Sequence, residues 1–386
     1  MHRTLLIFML LTTVESVAQD DGNAQGKGKP RKPTVFDKWD RNGDGRLVKN
    51  ELPAGAKPHF ERADANSDGF ISRQEDTAFR NRNQPQPRQR QRGTGLPDSI
   101  VSHVDIAYCN TEHPRQKLDL YLPKNWKSDR LLPIIVYIHG GGWRSGNKAS
   151  GARRVLPYVA SGKFAGVSIG YRLSSDATWP AQIHDCKAAL RWLKGNAQKF
   201  HLNPDRIGIA GSSAGGHLVA MLGTTGAVES LEGSLGEHRN QDSRVACVVD
   251  EFGPTSFLTM DDFPGRMEHN SPTSPESLLI GGPIQEHQDK CRRAGPLMYV
   301  SQDDPPFLII HGTQDPLVPF NQSVIFAEKL KAGGVPYILQ EMTGGEHGGF
   351  RSAELTRRTQ LFFYRHLLDQ RHDIPSGRIQ VSTQNR

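Results

Sequence analysis

Hydrophobic residues follow two alternating patterns through the middle and C-terminal parts of the chain. Short apolar runs predict β-strands, since buried strands read as nearly continuous hydrophobic segments; they lie at Lys117–Leu122, Leu132–Ile138, Gly166–Tyr171, Arg206–Ala210, Val245–Val249, Phe307–Ile310 and Tyr337–Gln340. Apolar residues recur at helical spacing at Ala181–Phe200, Leu218–Leu222, 319–332 and 353–368. Repeated strand–helix alternation predicts an α/β fold with a mostly parallel, doubly wound sheet. In such a sheet, catalytic residues lie on the loops after the carboxyl ends of the strands.

The first residues have the pattern of a secretory signal peptide. In residues 1–18, a basic start at His2 and Arg3 precedes an apolar run, and small residues stand at Ser16 and Ala18. This pattern predicts cleavage after Ala18 and a secreted or periplasmic protein that is not transmembrane once cleaved. An uncleaved membrane anchor is the alternative. No apolar run reaches the ~18–20 residues of a bilayer span, which excludes a multispanning membrane protein.

Composition divides the rest of the 386-residue chain into two folded parts and three polar segments. Residues 34–80 form a small module with acidic loops, and residues 98–370 form the main globular domain. Residues 19–33 predict a flexible leader, residues 81–97 a disordered linker, and residues 371–386 a polar tail. Much of the net charge of +7 lies in the leader and the linker. No nucleic-acid fold signature accompanies this charge, so we expect no nucleic-acid partner; binding to an anionic glycan or cell surface stays open.

The module at 34–80 contains two segments with the spacing of a calcium loop. An EF-hand loop supplies oxygen ligands at positions 1, 3, 5, 7, 9 and 12, with glycine at position 6. The segments begin at Asp40 and Asp64 and put Leu47 and Ile71 at position 8, where paired loops meet. We expect a compact EF-hand pair with structural Ca²⁺, or one that docks to a protein or surface; two metal-free Asx-rich turns are the alternative. The predicted ligands are Asp40, Asn42, Asp44, Arg46, Val48, Glu51, Asp64, Asn66, Asp68, Phe70, Ser72 and Glu75.

The cysteines of the chain do not have the spacing of metal ligands. In an oxidising compartment the four could form two disulfides by any of three pairings, and four buried thiols are the alternative. They are Cys109, Cys186, Cys247 and Cys291.

A glycine-rich turn follows the predicted strand Arg206–Ala210. Residues 211–215 read G-S-S-A-G, the G-x-S-x-G pattern of a strained turn that exposes a nucleophilic serine, here Ser213. The flanking glycines make room for the turn. The N–H of Ala214, at the start of a helix, points to where an oxyanion would form. An ordinary glycine-rich turn is the alternative.

A second glycine-rich loop, His139-Gly140-Gly141-Gly142-Trp143, follows the predicted strand Leu132–Ile138. Glycines let backbone N–H groups approach an anion closely, so Gly141 and Gly142 are the expected further oxyanion donors. A phosphate-binding loop is the alternative, but no Gly-Lys-Ser/Thr follows, and Ser145 stands where G-x-G-x-x-G needs its last glycine. We interpret His139 as a loop organiser.

Two further strand ends supply an acid and a base. Asp315 follows the predicted strand Phe307–Ile310, and His347 follows Tyr337–Gln340. A serine hydroxyl needs a base to take its proton, and a carboxylate must orient that base. The chain order Ser213, Asp315, His347 is that of the α/β-hydrolases. Glu346 is an alternative acid, although it neighbours the base in sequence.

These stretches together resemble a known enzyme group. Residues 105–368 resemble an α/β-hydrolase esterase of the HGGG-containing group, which includes hormone-sensitive-lipase-like and feruloyl/acetylxylan-esterase-like (BD-FAE-type) enzymes. The resemblance implies Ser213 as nucleophile, His347 as base and Asp315 as acid. It also implies oxyanion donors at Gly141, Gly142 and Ala214, and no catalytic metal or organic cofactor. The matching stretches are HGGGW (139–143), YRLS (171–174), WPAQIHDCKAALRWL (179–193), GSSAGGH (211–217), DDPPFLIIHGTQDPLVP (303–319) and GGEHGGF (344–350).

The expected substrate is a carboxylic ester, with acetyl or feruloyl groups on polysaccharide favoured. Lipase-like relatives carry an amphipathic cap where this chain has the EF-hand pair and linker, so an open site for a polymeric substrate is expected. Residues 253–294 are expected to form a wall of the site, and Trp143, Tyr171, Trp179 and Phe252 are candidates for stacking on rings, or ordinary core aromatics. A short-chain carboxylesterase, a lipase-like or arylformamidase-like hydrolase and a peptidase are alternative enzymes. The alternative from another class is a calcium-dependent binding protein with an inactive hydrolase domain.

Overall fold

The computed structural model describes residues 35–53, 56–76, 79, 96–126, 130–263 and 265–381. The predicted signal peptide (1–18), the predicted leader (19–33) and nearly all of the predicted linker (81–97) lie outside the described residues. The described residues form two compact units, one on each side of a boundary within residues 81–97. Each unit is described below by itself.

The N-terminal unit is built around a short antiparallel pairing of two loops. Leu47 pairs with Ile71, and both side chains are buried, as the position-8 residues of paired EF-hand loops should be. Its core consists of Phe36, Leu47, Leu52, Phe60, Ala63 and Ile71. Its regular elements include α1 (Val35–Trp39), β1 (Arg46–Leu47), a 3₁₀ turn (Lys57–His59), α2 (Phe60–Ala63) and β2 (Ile71–Ser72), and residues 73–76 are also helical.

The C-terminal unit contains one large, mostly parallel sheet. In order across the sheet, its nine described strands are β11, β10, β9, β8, β7, β5, β6, β4 and β3. Strand β4 runs antiparallel to both of its neighbours, and all other pairs are parallel. The strands are β3 (Ile100–Ala107), β4 (Lys117–Pro123), β5 (Leu132–Ile138), β6 (Ala165–Ile169), β7 (Leu202–Ser212), β8 (Cys247–Glu251), β9 (Phe307–Gly312), β10 (Tyr337–Thr343) and β11 (Ile379–Gln380).

Helices pack on both faces of this sheet. They are α3 (Ala152–Ala160), α4 (Ala181–Gly195), α5 (Ala197–Phe200), α6 (Ala214–Thr224), α7 (Pro275–Ile280), α8 (Gln288–Arg293), α9 (Asn321–Ala332) and α10 (Ala353–Leu367). Further 3₁₀ turns lie at Lys148–Gly151, Glu229–Leu231, Phe257–Asp262, Ile284–Glu286 and Pro296–Met298.

Alternation of side chains along β5 divides the core into two layers. Ile134, Val136 and Ile138 pack on the face covered by α4, α6 and α9, whereas Ile135 and Tyr137 pack on the face covered by α3 and α10. Every residue of β5 is buried because both faces are covered, which explains its uninterrupted apolar run. The predicted doubly wound α/β-hydrolase fold is confirmed.

Several predicted boundaries differ from the structure. The expected helix Ala181–Phe200 is two helices that part at Asn196, and the expected strand Gly166–Tyr171 is Ala165–Ile169. Strand β3 was not predicted, and β11 lies within residues expected to form only a polar tail. All four cysteines are free and buried, so the disulfide interpretation is wrong and the buried-thiol alternative is correct in this structure.

In the described part of the chain, no helix combines the length and the apolar composition that crossing a membrane requires.

Candidate active site

Ser213 lies on a tight turn between β7 and α6, at the carboxyl edge of the sheet. Its backbone has φ 54° and ψ −122°, a strained conformation for a residue with a side chain. The Ser213 N–H donates to the carbonyl oxygen of Glu251, which fixes the turn. A Cβ at Gly211 or Gly215 would clash with backbone atoms, so both flanking positions need glycine. The sequence pattern therefore corresponds to a serine held out of the sheet.

His347 and Asp315 lie beside this serine. The Ser213 Oγ is 2.9 Å from Nε2 of His347, and Nδ1 of His347 is 2.6 Å from Oδ2 of Asp315. The Asp315 carboxylate can only accept, so the proton of the neutral His347 ring lies on Nδ1. Nε2 is then unprotonated and accepts the hydrogen bond from the Ser213 hydroxyl. Three loops that are distant in sequence thus meet in one hydrogen-bonded chain.

The carboxylate of Asp315 is completely buried and accepts four hydrogen bonds. Its Oδ1 accepts from the N–H groups of Leu317 and Val318, at 2.8 and 2.9 Å. Its Oδ2 accepts from His347 and, at 3.2 Å, from Nε2 of His311. Burial by itself would raise the pKa of Asp315, but the hydrogen bonds from His311 and His347 outweigh it and hold this pKa well below its usual range.

His311 is a second histidine in contact with the Asp315 carboxylate, and the sequence patterns predicted no role for it. Its ring is fully buried, and its Nε2 also lies 2.9 Å from the carbonyl oxygen of Val318. Since that partner can only accept, Nε2 carries a proton, while Nδ1 lies 2.7 Å from the Ser323 hydroxyl. The sequence feature that could have identified His311 is its position at the end of β9, four residues before Asp315.

The HGGGW loop lines the same cavity as His347. Gly141 and Gly142 have φ values of 117° and 58°, and both line the same cavity as Ser213 and Ala214. His139 at the start of the loop is buried, stacks on Tyr171 at 4.3 Å and bonds to the Gly140 carbonyl through Nδ1. Burial lowers the pKa of His139 to about 4, so its ring is neutral at pH 7. These contacts fit a loop organiser.

The cavity above Ser213 has a volume of about 440 Å³. Met267, Pro275 and Glu276 from the segment 253–294 line one wall, as expected for that segment. Of the four candidate aromatics, Trp143 and Phe252 border the cavity. Tyr171 and Trp179 are buried in the core and do not line it, so for these two the ring-stacking interpretation is wrong and the core interpretation holds.

Phe252 positions the loop that carries His347. Its ring centroid is 4.7 Å from the imidazole in an edge-on arrangement. A Cβ at Gly348 would lie 2.8 Å from the Phe252 ring, so the loop can lie this close only with glycine there. The Phe252 ring therefore packs against the His347 imidazole from the side.

The predicted calcium ligands lie on two loops of similar internal geometry. Asp40 accepts from the N–H groups of Gly43 and Gly45, and Asp64 accepts from those of Asp68 and Gly69. Glu51 closes the first loop by accepting from Arg41 and Val48. Glu75 closes the second by accepting from Ala65, Asn66 and Ser72. Gly45 and Gly69, at position 6, have φ values of 78° and 91°.

The donor chemistry of these loops fits a hard cation such as Ca²⁺. Within the described residues, no three His, Cys, Asp or Glu side chains gather as a metal cluster. An EF-hand loop instead combines carboxylates with an amide oxygen and backbone carbonyls. The Arg46 and Phe70 positions would contribute a carbonyl oxygen, and the aliphatic side chain of Val48 has no donor atom, so position 9 of the first loop would need water.

Comparisons with known proteins agree with this architecture. The family model described as BD-FAE matches residues 118–330, more than half of the chain, and the model described as EF hand matches residues 59–75. The esterase LipC of Mycobacterium tuberculosis is 31% identical over 240 residues, which are 61% of this chain and 58% of LipC. The probable carboxylic ester hydrolase LipM of the same organism is 31% identical over 60% of this chain and 52% of its own length. The chain therefore spans little more than half the length of these curated relatives.

Two solved structures match more of this chain, at higher sequence identity. A truncated form of a carbohydrate esterase from gut microbiota is 34% identical, with a TM-score of 0.65, over 71% of this chain and 99% of that chain. A bifunctional GH43-CE protein of Bacteroides eggerthii is 36% identical, with a TM-score of 0.62, over 69% of this chain and 38% of its own. Together with the sheet order and the strained serine turn, these matches establish that the chain belongs to the BD-FAE family, with an α/β-hydrolase fold and an EF-hand segment in its N-terminal unit.

Proposed function

We propose that this protein is an exported serine esterase that hydrolyses carboxylic esters, with acetyl or feruloyl groups on polysaccharide as the substrate class. The observation that carries the proposal is the hydrogen-bonded chain from the Ser213 hydroxyl through His347 to Asp315, at 2.9 and 2.6 Å. This arrangement activates a serine for acyl transfer. Two similar solved structures are described as carbohydrate esterases or as carrying such a domain, which supports the polysaccharide assignment.

The proposed reaction passes through an acyl-enzyme. Ser213 Oγ attacks the ester carbonyl while Nε2 of His347 takes its proton, and Asp315 stabilises the resulting imidazolium. The N–H groups of Gly141, Gly142 and Ala214 stabilise the oxyanion of the tetrahedral intermediate. His347 then gives its proton to the departing alcohol, and a water molecule, deprotonated by His347, releases the acid.

The compartment and the calcium sites are part of the same proposal. The signal-peptide pattern at residues 1–18 supports export, to the periplasm or outside the cell. Calcium bound by the two EF-hand loops would have a structural role, because extracellular calcium is nearly constant and weak sites of about 10⁻⁴–10⁻³ M stay filled there.

Turnover of p-nitrophenyl acetate by the purified full-length protein tests the activity. Ser213→Ala is expected to abolish turnover, while Ser161→Ala, which alters an exposed serine, serves as the matched control. Retained activity in Ser213→Ala would remove this serine from the mechanism. A wild-type protein that turns over no ester would favour the calcium-dependent binding protein.

A panel of acetylated xylan, methyl ferulate and longer aliphatic acyl esters tests the substrate class. We expect kcat/KM to be highest on acetylated xylan or methyl ferulate. A preference for simple short-chain or longer aliphatic esters would identify a general carboxylesterase or a lipase-like enzyme instead.

A further inference from the structure

A buried carboxylate and a buried imidazole form part of the cavity wall, and the proposed hydrolysis uses neither. Glu276 lies on α7 and lines the cavity, yet only 3% of its surface is exposed. His269 lies behind it with 1% of its surface exposed. Nδ1 of His269 is 3.1 Å from Oε2 of Glu276. A carboxylate is rarely so buried unless it is paired, because its desolvation is costly, and His269 is the partner that the structure provides.

The segment that carries this pair is firmly held. Asp261 accepts from the backbone N–H groups of His269 and Asn270, at 2.7 and 2.8 Å. Ser274 donates to the His269 carbonyl and accepts from the Ser277 N–H, which caps α7. The position of Glu276 relative to the cavity is therefore fixed before any substrate binds.

This wall lies directly beside the loop of the expected oxyanion donors. A Cβ at Gly142 would lie 3.1 Å from Cβ of Pro275, the residue that precedes Glu276. Glu276 and Ser213 line one continuous cavity of about 440 Å³, which is larger than an acetyl group needs. A substrate held by Ser213 would bring its other groups past this wall.

One oxygen of the Glu276 carboxylate is not used for hydrogen bonding within the protein. Oε2 of Glu276 is sealed from solvent and lies 3.1 Å from Nδ1 of His269, whereas among the described residues no hydrogen bond engages Oε1. Buried polar groups in folded proteins nearly always have partners, and one left without costs free energy. An ionised carboxylate only accepts hydrogen bonds, so the group that suits it is a donor such as a hydroxyl.

We infer that Glu276, positioned by His269, is a specificity residue that accepts a hydrogen bond from a hydroxyl group of the bound ester. This inference rests on the proposed function. A sugar hydroxyl of an acylated polysaccharide and the phenolic hydroxyl of a feruloyl group have the same donor chemistry. The same buried carboxylate disfavours a long aliphatic acyl chain along this wall, because an apolar chain would desolvate it without replacing its hydrogen bonds.

Matched ester pairs test the inference on the unaltered protein. One pair is methyl ferulate and methyl 3,4-dimethoxycinnamate, in which a methyl ether replaces the phenolic hydroxyl. The other is a monoacetylated methyl β-xyloside and its deoxy analogues, in which hydrogen replaces one hydroxyl. Loss of a hydrogen bond to a charged group is expected to lower kcat/KM about 10–100-fold in one pair. The pair that responds identifies the source of the hydroxyl.

Substitution of Glu276 then tests whether this residue causes the difference in kcat/KM within an ester pair. Glu276→Gln removes the charge with little change in shape, and Glu276→Ala removes the acceptor. In both, the ratio of kcat/KM between the hydroxyl-bearing ester and its analogue is expected to fall towards 1. The matched control is Glu286→Gln, an exposed glutamate of the same segment, which should keep the wild-type ratio.

The outcomes separate this inference from the proposed function. Wild-type ratios near 1 in both pairs would overturn the role of Glu276 while leaving the esterase intact, and they can be measured even if the variants do not fold. A folded Glu276→Ala variant that keeps the wild-type ratio of kcat/KM would also overturn the role of Glu276. Absence of any ester turnover in the wild type would overturn both proposals together.

Discussion

Replacing Asp315 with asparagine tests the coupling between the acid and the base. The two oxygens of this carboxylate face different partners. Oδ1 faces two backbone N–H groups, which can only donate, whereas Oδ2 faces the rings of His347 and His311. The asparagine amide nitrogen would therefore occupy the Oδ2 position, since an imidazole nitrogen can become an acceptor and a backbone N–H cannot.

This orientation puts the proton of His347 on the wrong nitrogen. Nδ1 would accept from the new amide, so Nε2 would carry the proton and could not take one from Ser213, 2.9 Å away. A tautomer exchange of this kind lowers kcat by about 10⁴-fold in a serine protease with the same arrangement. At ~1.36 kcal/mol per factor of ten, that is about 5.5 kcal/mol of transition-state stabilisation.

The assay is kcat and KM for p-nitrophenyl acetate, with thermal unfolding to check that the variant is folded. Asp303→Asn, on the exposed loop before the same strand, is the matched control and should behave as the wild type. We expect the loss in kcat, because Asp315 does not line the cavity that holds Ser213. A folded Asp315→Asn variant with less than a tenfold loss would refute the reasoning and return the acid role to Glu346.

Three further changes probe the rest of the molecule. Gly141→Ala would clash with the Ser145 backbone at a φ of 117°, so we expect kcat to fall about 10²–10³-fold through loss of an oxyanion donor; unchanged kcat would exclude this loop from catalysis. Burial raises the pKa of Asp250 from 3.8 to about 7, so the free energy of unfolding should decrease as pH rises from about 4 to 7. In the Asp250→Asn variant this side chain cannot ionise, so the decrease in the free energy of unfolding should be smaller by up to about 4 kcal/mol. Urea unfolding of the wild type and the variant at pH 4 and pH 8 measures this difference. The same pH dependence in the wild type and the variant would contradict the prediction. Asp64→Asn should weaken calcium binding in a calorimetric titration while p-nitrophenyl acetate turnover stays at the wild-type level, and an equal loss of turnover would contradict a purely structural role for calcium.

The sheet could be predicted well where both of its faces are covered. Leu132–Ile138 matches β5 at both ends, because a strand between two helical layers is apolar at every position. Strand β3 lies at the edge of the sheet, is largely exposed and has an irregularity between His103 and Ile106. Its apolar residues do not alternate strictly with its polar ones across this irregularity, so the pattern gave no strand prediction.

The candidate site could be predicted where it depends on chain order and on the ends of strands. Ser213, Asp315 and His347 each follow a strand, and parallel strands bring their carboxyl ends to one edge. Glu276 lies on a six-residue helix within an irregular segment, and its burial depends on contacts with His269 and the cavity. No local pattern encodes those contacts, so this residue emerged only from the structure.

The short strand β11 has a practical consequence for the preparation of this protein. It pairs with β10, and the N–H of Val381 donates to the carbonyl of Thr343, four residues before His347. Arg358 and Gln340 tie the preceding segment to the sheet through the carbonyls of Pro375 and Gly377. Truncation of the chain at residue 370 would remove these contacts from β10, the strand that leads to His347. A fragment intended to keep this pairing should therefore extend through Val381.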